Sequence, residues 1–258
     1  MVVGAFDGAL YATATAHHRA HDDAALAGVE LRPGLDVLDL GCGVGDLTLD
    51  LWRAVQPGGS VTGLDASASV LATAAATAGE QPGLAWLHGR AQDAADLLPA
   101  ASVDAVVSVA TLHWVPEAEQ ARVLAGLACV LRPGGVLRID MGGHGQLAGV
   151  VPVLDAVSAA HGGGTAPWCF PRPGQFRQWL EAGGFAADAV ELVAQRRDLG
   201  SIDGVAAWLR SQVLPAYLPS LPPASREAFS AAAVHRVVRH LGEPAVDYVR
   251  LHASAHRR

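Results

Sequence analysis

One stretch of the chain, VLDLGCGVGDLTL at residues 37–49, places Asp39 two residues before three glycines in the spacing G-x-G-x-G. Glycine loses more conformational freedom on ordering than any other residue, so this density indicates a backbone that must do what a side chain would block. A helix is predicted to begin at about Asp46, and its first N–H groups lack partners within the helix. The pattern therefore predicts a strand, a tight turn and a helix start that hold a ligand through the backbone.

A second acid, Asp65, ends the next β-rich run, 24 residues after Gly41. An acid at that strand end accepts hydrogen bonds from ribose hydroxyls, so the two motifs together predict a nucleoside site. Dinucleotide folds usually show G-x-G-x-x-G after an apolar strand, and Asp39 would repel a pyrophosphate. It suits a ligand with a cationic amino group and a sulfonium. We therefore expect S-adenosylmethionine to bind and NAD not to bind.

Other side chains that could do chemistry have competing interpretations. His113, after the fourth predicted strand, either faces a substrate or packs against its neighbours, and His144 could approach the same pocket. Cys42 is interpreted as a small residue in the turn and not as a reactive thiol. Trp168 and Trp208 are interpreted as packing residues of the core or of a lid.

The segment AHHRAHDD, residues 16–23, has the residue types of a metal site. Its histidines His17 and His21 are four residues apart, which could place two imidazoles on one helix face. No other part of the sequence completes such a site, so a solvated helix face is the preferred interpretation and no metal is expected.

The composition excludes several kinds of function. The 258 residues carry a net charge of −7, which argues against a broad nucleic-acid or anionic-membrane surface. All 18 basic residues are arginine, so Schiff-base chemistry and a P-loop lysine are excluded. The three cysteines form no C-x-x-C pair, and we expect a reduced, cytoplasmic protein. We expect neither a signal peptide nor a membrane span.

Strand-like and helix-like segments alternate through the first part of the chain, which indicates a parallel sheet with ligands at the carboxyl ends of its strands. The helical segments are Leu47–Val55, Ser67–Ala78 and Glu117–Leu131. The strand-like runs are VLDL (37–40), SVTGLDAS (60–67), LAWLHGRA (84–91), VDAVVSVATL (103–112) and GGVLRIDMGG (134–143).

The pattern changes after about residue 143. FRQWLEAGGF predicts a helix with a glycine cap, and Val190–Asp198 predicts a sixth strand. Ser201–Gly242 has no strand pattern and predicts two helices, one around Val205–Val213 and one from Ser225, joined by a proline-rich loop. The tail AVDYVRLHAS alternates like a last strand, so about 40 residues are inserted between two strands.

Taken together, the motifs VLDLGCGVGDLT, VTGLDAS, LHGRAQD, VDAVVSVATLHWVP and LRPGGVLRIDMGG resemble those of class I S-adenosylmethionine-dependent methyltransferases over about residues 35–143. The C-terminal plan is loosely similar to that of trans-aconitate methyltransferases. The resemblance implies an α/β fold: a Rossmann-like, seven-stranded, mostly parallel sheet with helices on both faces, an antiparallel last strand and a helical cap.

The resemblance also implies a role for each residue of the cofactor site. Asp39 would hold the methionine amino group through water, and Asp65 would take both ribose hydroxyls. The adenine edge is where this chain departs from the family, because the usual acid is Arg90; Gln92 or Asp93 would have to substitute. The implied cofactor residues are Asp39, Gly41, Cys42, Gly43, Asp65, Ala66, Arg90, Ala91, Gln92, Val109 and Ala110, and His113 is the candidate catalytic residue.

We therefore expect a methyltransferase that converts S-adenosylmethionine to S-adenosylhomocysteine and methylates an oxygen, nitrogen or carboxyl group of a small molecule. A macromolecule methyltransferase and a non-catalytic cofactor-binding protein are the alternatives. The expected layout is one domain, 1–258, with an N-terminal helical cap (1–30), a cofactor-binding core (31–143) and a helical lid (199–243). Within the lid, Arg210 is expected to pair with any carboxylate on the acceptor.

Overall fold

The computed structural model describes residues 29–258 and contains one seven-stranded sheet. Its strands are β1 (Asp36–Leu40), β2 (Ser60–Asp65), β3 (Leu84–His88), β4 (Val103–Val109), β5 (Leu131–Gly142), β6 (Phe185–Asp198) and β7 (Ala245–Arg257). They lie in the order β3-β2-β1-β4-β5-β7-β6. Strands β1 to β5 are parallel, and β7 runs antiparallel to both β5 and β6. The predicted fold, including the antiparallel last strand, is confirmed.

Eight α-helices surround the sheet in the described part of the chain. They are α1 (Asp46–Ala54), α2 (Ala68–Ala78), α3 (Ala94–Leu97), α4 (Gln120–Val130), α5 (Val151–Ala160), α6 (Pro173–Ala182), α7 (Ile202–Trp208) and α8 (Arg226–Leu241). The predicted helices are confirmed to within a few residues. The main differences are at α4, which begins at Gln120 because Glu117–Glu119 forms a separate 3₁₀ turn, and at α7, which ends at Trp208 where a π-helical turn begins. Helices α3 and α5 were not predicted.

The central strands are apolar on both faces because helices cover both faces. Leu38, Leu40 and Val106 belong to one core cluster, which includes residues of α4 and α6. Val37 and Val107 belong to a second cluster with residues of α1. Alternate residues of a strand point to opposite faces, so such strands read as nearly continuous apolar runs.

The insertion between β6 and β7 has its own core. Helix α7 continues into a π-helical turn, Leu209–Val213, and short 3₁₀ turns lead from there to α8. Tyr217 and Phe229 of the insertion are fully buried together with Leu154 of α5. The two predicted helices are confirmed: α8 packs on α5, and α7 packs on α8.

Residues 1–28 lie outside the described residues, and with them almost all of the expected N-terminal cap and the AHHRAHDD segment. Within residues 29–258 no cluster of histidine, cysteine or acidic side chains has the makings of a metal site. No helix in the same range has the length and apolar character needed to cross a bilayer.

A buried ion cluster joins β5 to β7. The carboxylate of Asp140 on β5 accepts a hydrogen bond from Arg250 Nε at 2.6 Å, and His252 Nε2 lies 3.1 Å from its other oxygen. All three side chains are almost completely buried. Burial alone would raise the pKa of Asp140, but the adjacent His252 ring and the charge of Arg250 outweigh it and hold the pKa below its ordinary value.

We predict that Asp140→Asn lowers the free energy of unfolding by about 3–5 kcal/mol, because it leaves the Arg250 charge buried without a counter-charge. The matched control is Asp188→Asn. Asp188 also bridges to β7, through His256 at 2.9 Å, but that pair is about half exposed, so its loss should change stability by less than about 1 kcal/mol. Urea unfolding of both variants measures the difference, and equal effects would contradict the prediction.

Candidate active site

A single cavity runs from the carboxyl ends of β1, β2 and β4 to the start of β7 and the inserted helices. Sheet order reverses between β1 and β4, since the chain adds β2 and β3 on one side and β5 on the other. Ligands of open α/β sheets bind at such a reversal because the loops on either side diverge there. The cavity therefore lies where the fold itself leaves space.

The glycine turn forms one wall of this cavity and is constrained by the protein's own atoms. Gly41 has a φ of +78°, and a β-carbon there would lie 1.9 Å from Thr111 Oγ1. Gly45 has a φ of +88°, and a β-carbon there would lie 2.5 Å from the ring of Trp86. Both positions therefore require glycine whether or not a ligand is bound. Gly41 and Gly43 line the cavity.

Asp65 lies at the end of β2 with its carboxylate held on both oxygens. Gly43 N–H donates to Oδ2 at 3.0 Å, and Ser67 N–H donates to Oδ1 at 2.8 Å. Burial raises the pKa of Asp65, and the backbone hydrogen bonds partly oppose that rise. The N-cap of α2 is Ser67, so Asp65 is not the cap residue. Each oxygen can accept a further hydrogen bond from a ligand in the cavity.

Two residues predicted from the glycine motif are buried and are not part of the cavity wall. Asp39 is 1% exposed, and its Oδ2 accepts a hydrogen bond from Thr48 Oγ1 of α1 at 2.6 Å. Burial, together with the charges of Asp39 and Asp65, raises the pKa of the Cys42 thiol far above its ordinary value. The thiol therefore stays protonated, in keeping with its interpretation as a small residue in the turn.

The predicted adenine edge is only partly at the cavity. Ala66 and Ala91 line it. Arg90 is instead exposed and pairs with Asp93 at 3.1 Å, and the Gln92 side-chain amide donates to Glu119 Oε2 at 2.7 Å. Gln92 and Asp93, the two residues expected to replace the family's acid, thus both have partners on the protein.

The end of β4 supplies another part of the cavity wall, and Val109 and Ala110 line the cavity there. Ala110 has a φ of +55°, and its N–H donates to the backbone oxygen of Asp140 at 2.7 Å. Leu147, with a φ of +54°, also lines the cavity. Non-glycine residues in this conformation cost about 1–3 kcal/mol each and cluster at functional sites.

His113 lines the cavity as a neutral ring with a defined tautomer. Burial lowers its pKa to about 3; the Arg250 cation adds to this and Asp140 opposes it. Gly142 N–H donates to His113 Nδ1 at 3.3 Å, so Nδ1 carries no proton and Nε2 carries the ring's only one. His113 is therefore placed to donate a hydrogen bond and is poorly suited to act as a base.

The far half of the cavity is aromatic, and sequence reasoning identified little of it. Trp168 stacks on Phe170 with ring centroids 5.9 Å apart and meets Trp114 edge-on at 5.6 Å. Trp208 contacts Tyr248 at 6.2 Å. These five rings all line the cavity, so Trp168 and Trp208 are part of its wall as well as of the packing.

Two arginines, Arg197 and Arg250, also line this half. Arg210, expected to pair with a carboxylate, is exposed and lies outside the wall, as does His144. One sequence signal could have identified Arg250 and Tyr248 as wall residues. Side chains on a strand alternate between its two faces, so Tyr248, Arg250 and His252 share one face of β7.

Comparison with known proteins agrees with this geometry. A family profile described as a methyltransferase domain matches residues 37–135. The chain is 31% identical over 236 residues to nocamycin O-methyltransferase of Saccharothrix syringae, which covers 82% of this chain and 81% of that protein. It is 31% identical over 211 residues to trans-aconitate 2-methyltransferase of Deinococcus radiodurans, covering 77% of this chain and 76% of the relative.

Among solved structures, the 4+2 cyclase SpnF matches with a TM-score of 0.62 at 20% identity, over 92% of this chain and 80% of that one, which shows a shared fold. The two sequence relatives establish the family as well as the fold, because they are about 31% identical to this chain over most of the length of both proteins. This chain belongs to the class I S-adenosylmethionine-dependent methyltransferases.

Proposed function

We propose that this methyltransferase binds S-adenosylmethionine between the glycine turn and Asp65 and methylates a small molecule held in the aromatic half of the cavity. The observation that carries the proposal is that one continuous cavity joins the two regions. A nucleoside at Asp65 and an acceptor among the aromatic rings would therefore meet near Ala110 and His113.

The residues at the nucleoside end fit this cofactor. Asp65 offers two oriented carboxylate oxygens to the ribose hydroxyls, and Gly41 and Gly43 present backbone next to it. Asp39 and Cys42 would act from behind the turn, Asp39 as a buried negative charge near the methionine amino group. Contacts from Arg90, Gln92 or Asp93 to adenine stay a prediction.

Bound S-adenosylmethionine supplies a methyl group activated by the adjacent sulfonium. With that cofactor bound, a lone pair of the acceptor would form the new bond to the methyl carbon, and the electron pair of the broken carbon–sulfur bond would remain on sulfur. The protein's main task is alignment, which can supply about 7–11 kcal/mol of the barrier. A carboxylate acceptor needs no base, whereas a hydroxyl or amine acceptor would lose its proton to water. His113 could orient an acceptor by donating its Nε2–H to one of that molecule's oxygens.

The shape of the cavity supports a small acceptor. Trp208, Gln212 and Val213 of the insertion form part of its wall, so an acceptor in this half of the cavity would lie beneath the inserted segment. Two relatives bear the names nocamycin O-methyltransferase and trans-aconitate 2-methyltransferase, both of which indicate small acceptors. The division of the chain into an N-terminal cap (1–30), a cofactor-binding core (31–143) and a helical lid (199–243) stays part of this proposal.

The first prediction concerns the cofactor. S-adenosylhomocysteine should bind in calorimetry and NAD should not. Asp65→Ala should weaken S-adenosylhomocysteine binding at least about tenfold, because charge-assisted hydrogen bonds contribute about 1.5–3 kcal/mol each. Asp50→Ala, which removes an exposed carboxylate paired with Arg53, is the control and should leave affinity unchanged. Unchanged affinity for Asp65→Ala with an unchanged melting curve would contradict the assignment.

The second prediction concerns the acceptor. With limiting methyl-labelled S-adenosylmethionine and a whole-cell extract, label should enter the low-mass fraction and not RNA or protein, and Asp65→Ala should reduce the transfer about tenfold. Label in a macromolecular fraction would favour the alternative substrate class. Cofactor binding without any transfer would favour a non-catalytic protein of this fold.

The third prediction concerns protonation of His113. Because burial lowers its pKa to about 3, the ring should remain neutral throughout pH 5–8. The Cε1–H proton signal of His113, identified by its loss in His113→Gln, should not shift over that range in NMR spectra. A midpoint between pH 6 and 7 would instead mark the ring as a competent base.

A further inference from the structure

We propose that Arg197 and Tyr248 form a carboxylate anchor in the aromatic half of the cavity, and that the acceptor is a flat, largely apolar molecule with one carboxylate. This inference rests on the proposed function, because it assigns this half of the cavity to the acceptor. It specifies how many charges that molecule carries and where its anionic group lies.

The first argument is the state of Arg197. Its Nη1 donates to the Tyr248 hydroxyl at 3.2 Å, and the centre of the guanidinium lies 5.7 Å from the centroid of that ring. A guanidinium has five N–H donors, so most remain available. No carboxylate in residues 29–258 forms an ion pair with Arg197. Its neighbour Arg196, by contrast, pairs with Glu243 at 2.5 Å and Asp247 at 3.0 Å.

The second argument is the Tyr248 hydroxyl. It accepts the hydrogen bond from Arg197 and has no acceptor for its own proton among the described residues. Burial raises the pKa of Tyr248, although the neighbouring Arg197 charge opposes this, so the hydroxyl keeps that proton. The N–H groups of Arg197 and the O–H of Tyr248 are adjacent donors on the cavity wall. Adjacent donors, one of them cationic, suit the two oxygens of a carboxylate.

The third argument is a count of charges. Arg250, the other cation lining this half, is already neutralised by Asp140, and His113 is neutral. Among the described residues, Arg197 is thus the one cation of the aromatic half without a carboxylate partner. A single carboxylate would balance it. A tricarboxylate would bring two further charges into an aromatic enclosure, which is unfavourable unless each is paired.

The fourth argument is the shape of the remaining wall. Trp168 and Phe170 are stacked with an interplanar angle of 20°, and Trp114 meets Trp168 at 71°. Faces and edges of this kind bind flat apolar surfaces. The body of the acceptor is therefore expected to be planar and apolar, with its carboxylate directed to Arg197.

Binding of simple probes tests the anchor. Quenching of tryptophan fluorescence reports occupancy, because Trp114, Trp168 and Trp208 line the cavity. Benzoate, trans-cinnamate and naphthoate would be compared with their neutral amides and with trans-aconitate, a tricarboxylate, each with and without S-adenosylhomocysteine. We expect at least one monocarboxylate to bind at least about tenfold more tightly than its amide and than trans-aconitate.

Two adjacent arginines provide a matched pair of variants. Arg197→Gln should remove the preference for carboxylate over amide, while Arg196→Gln, which removes an equal charge from the exterior, should retain it. Tyr248→Phe should reduce the preference. Affinity for S-adenosylhomocysteine should remain unchanged in Arg197→Gln.

Several results would overturn the anchor. They are the absence of any carboxylate preference, tighter binding of trans-aconitate than of the monocarboxylates, and equal losses in the two arginine variants. Failure of S-adenosylhomocysteine to bind would count against the proposed function instead, and the probe measurements without it would still decide the anchor.

Discussion

The antiparallel direction of β7 is the constraint on which the rest of this molecule depends. Strands β1 to β6 all run the same way, so their carboxyl ends share one edge of the sheet; β7 runs the other way and brings its amino end to that edge. Tyr248 and Arg250, near the start of β7, therefore reach the cavity, and so does Arg197, near the end of β6. The inserted helices leave from β6 and return to β7 at that same edge, which is why they cover the cavity.

A buried charge cluster crosses the β5–β7 pair and contributes to the electrostatics of the cavity. Asp140 holds Arg250 across the β5–β7 pair and balances its charge. The ion pair therefore adds little net charge to the cavity wall, which Arg250 lines. Within the cluster, the Arg250 cation lowers the pKa of His113 and the Asp140 carboxylate opposes that effect, while burial of the ring remains the main reason that His113 is neutral. A structural ion pair and a candidate catalytic group are thus electrostatically coupled.

Sequence patterns predicted the parts of the fold that depend on neighbouring residues. The glycine turn and Asp65 follow from local spacing, and the helix containing Phe229, Ala233 and Val237 follows from a repeat of four. What could not be predicted depends on residues far apart in the chain. Arg197 meets Tyr248 only through the β6–β7 register, which includes a shift between Ala187 and Ala189. The orientation of Asp39 toward Thr48 likewise depends on the packing of α1 on β1.

Backbone pairing between β6 and β7 holds the two ends of the insertion together, and this has an evolutionary consequence. Asp198 pairs with Ala245 across β6 and β7, and Leu199 N–H donates to the backbone oxygen of Pro244 at 2.7 Å. The insertion is thus a loop whose closure is enforced by the sheet. The entropy of closing such a loop grows only with the logarithm of its length, by about 0.6 kcal/mol per doubling. Residues can accordingly be gained or lost in the helices that cover the aromatic half of the cavity at little cost in stability. The shape of that half can therefore change during evolution while the glycine turn and Asp65 stay as they are.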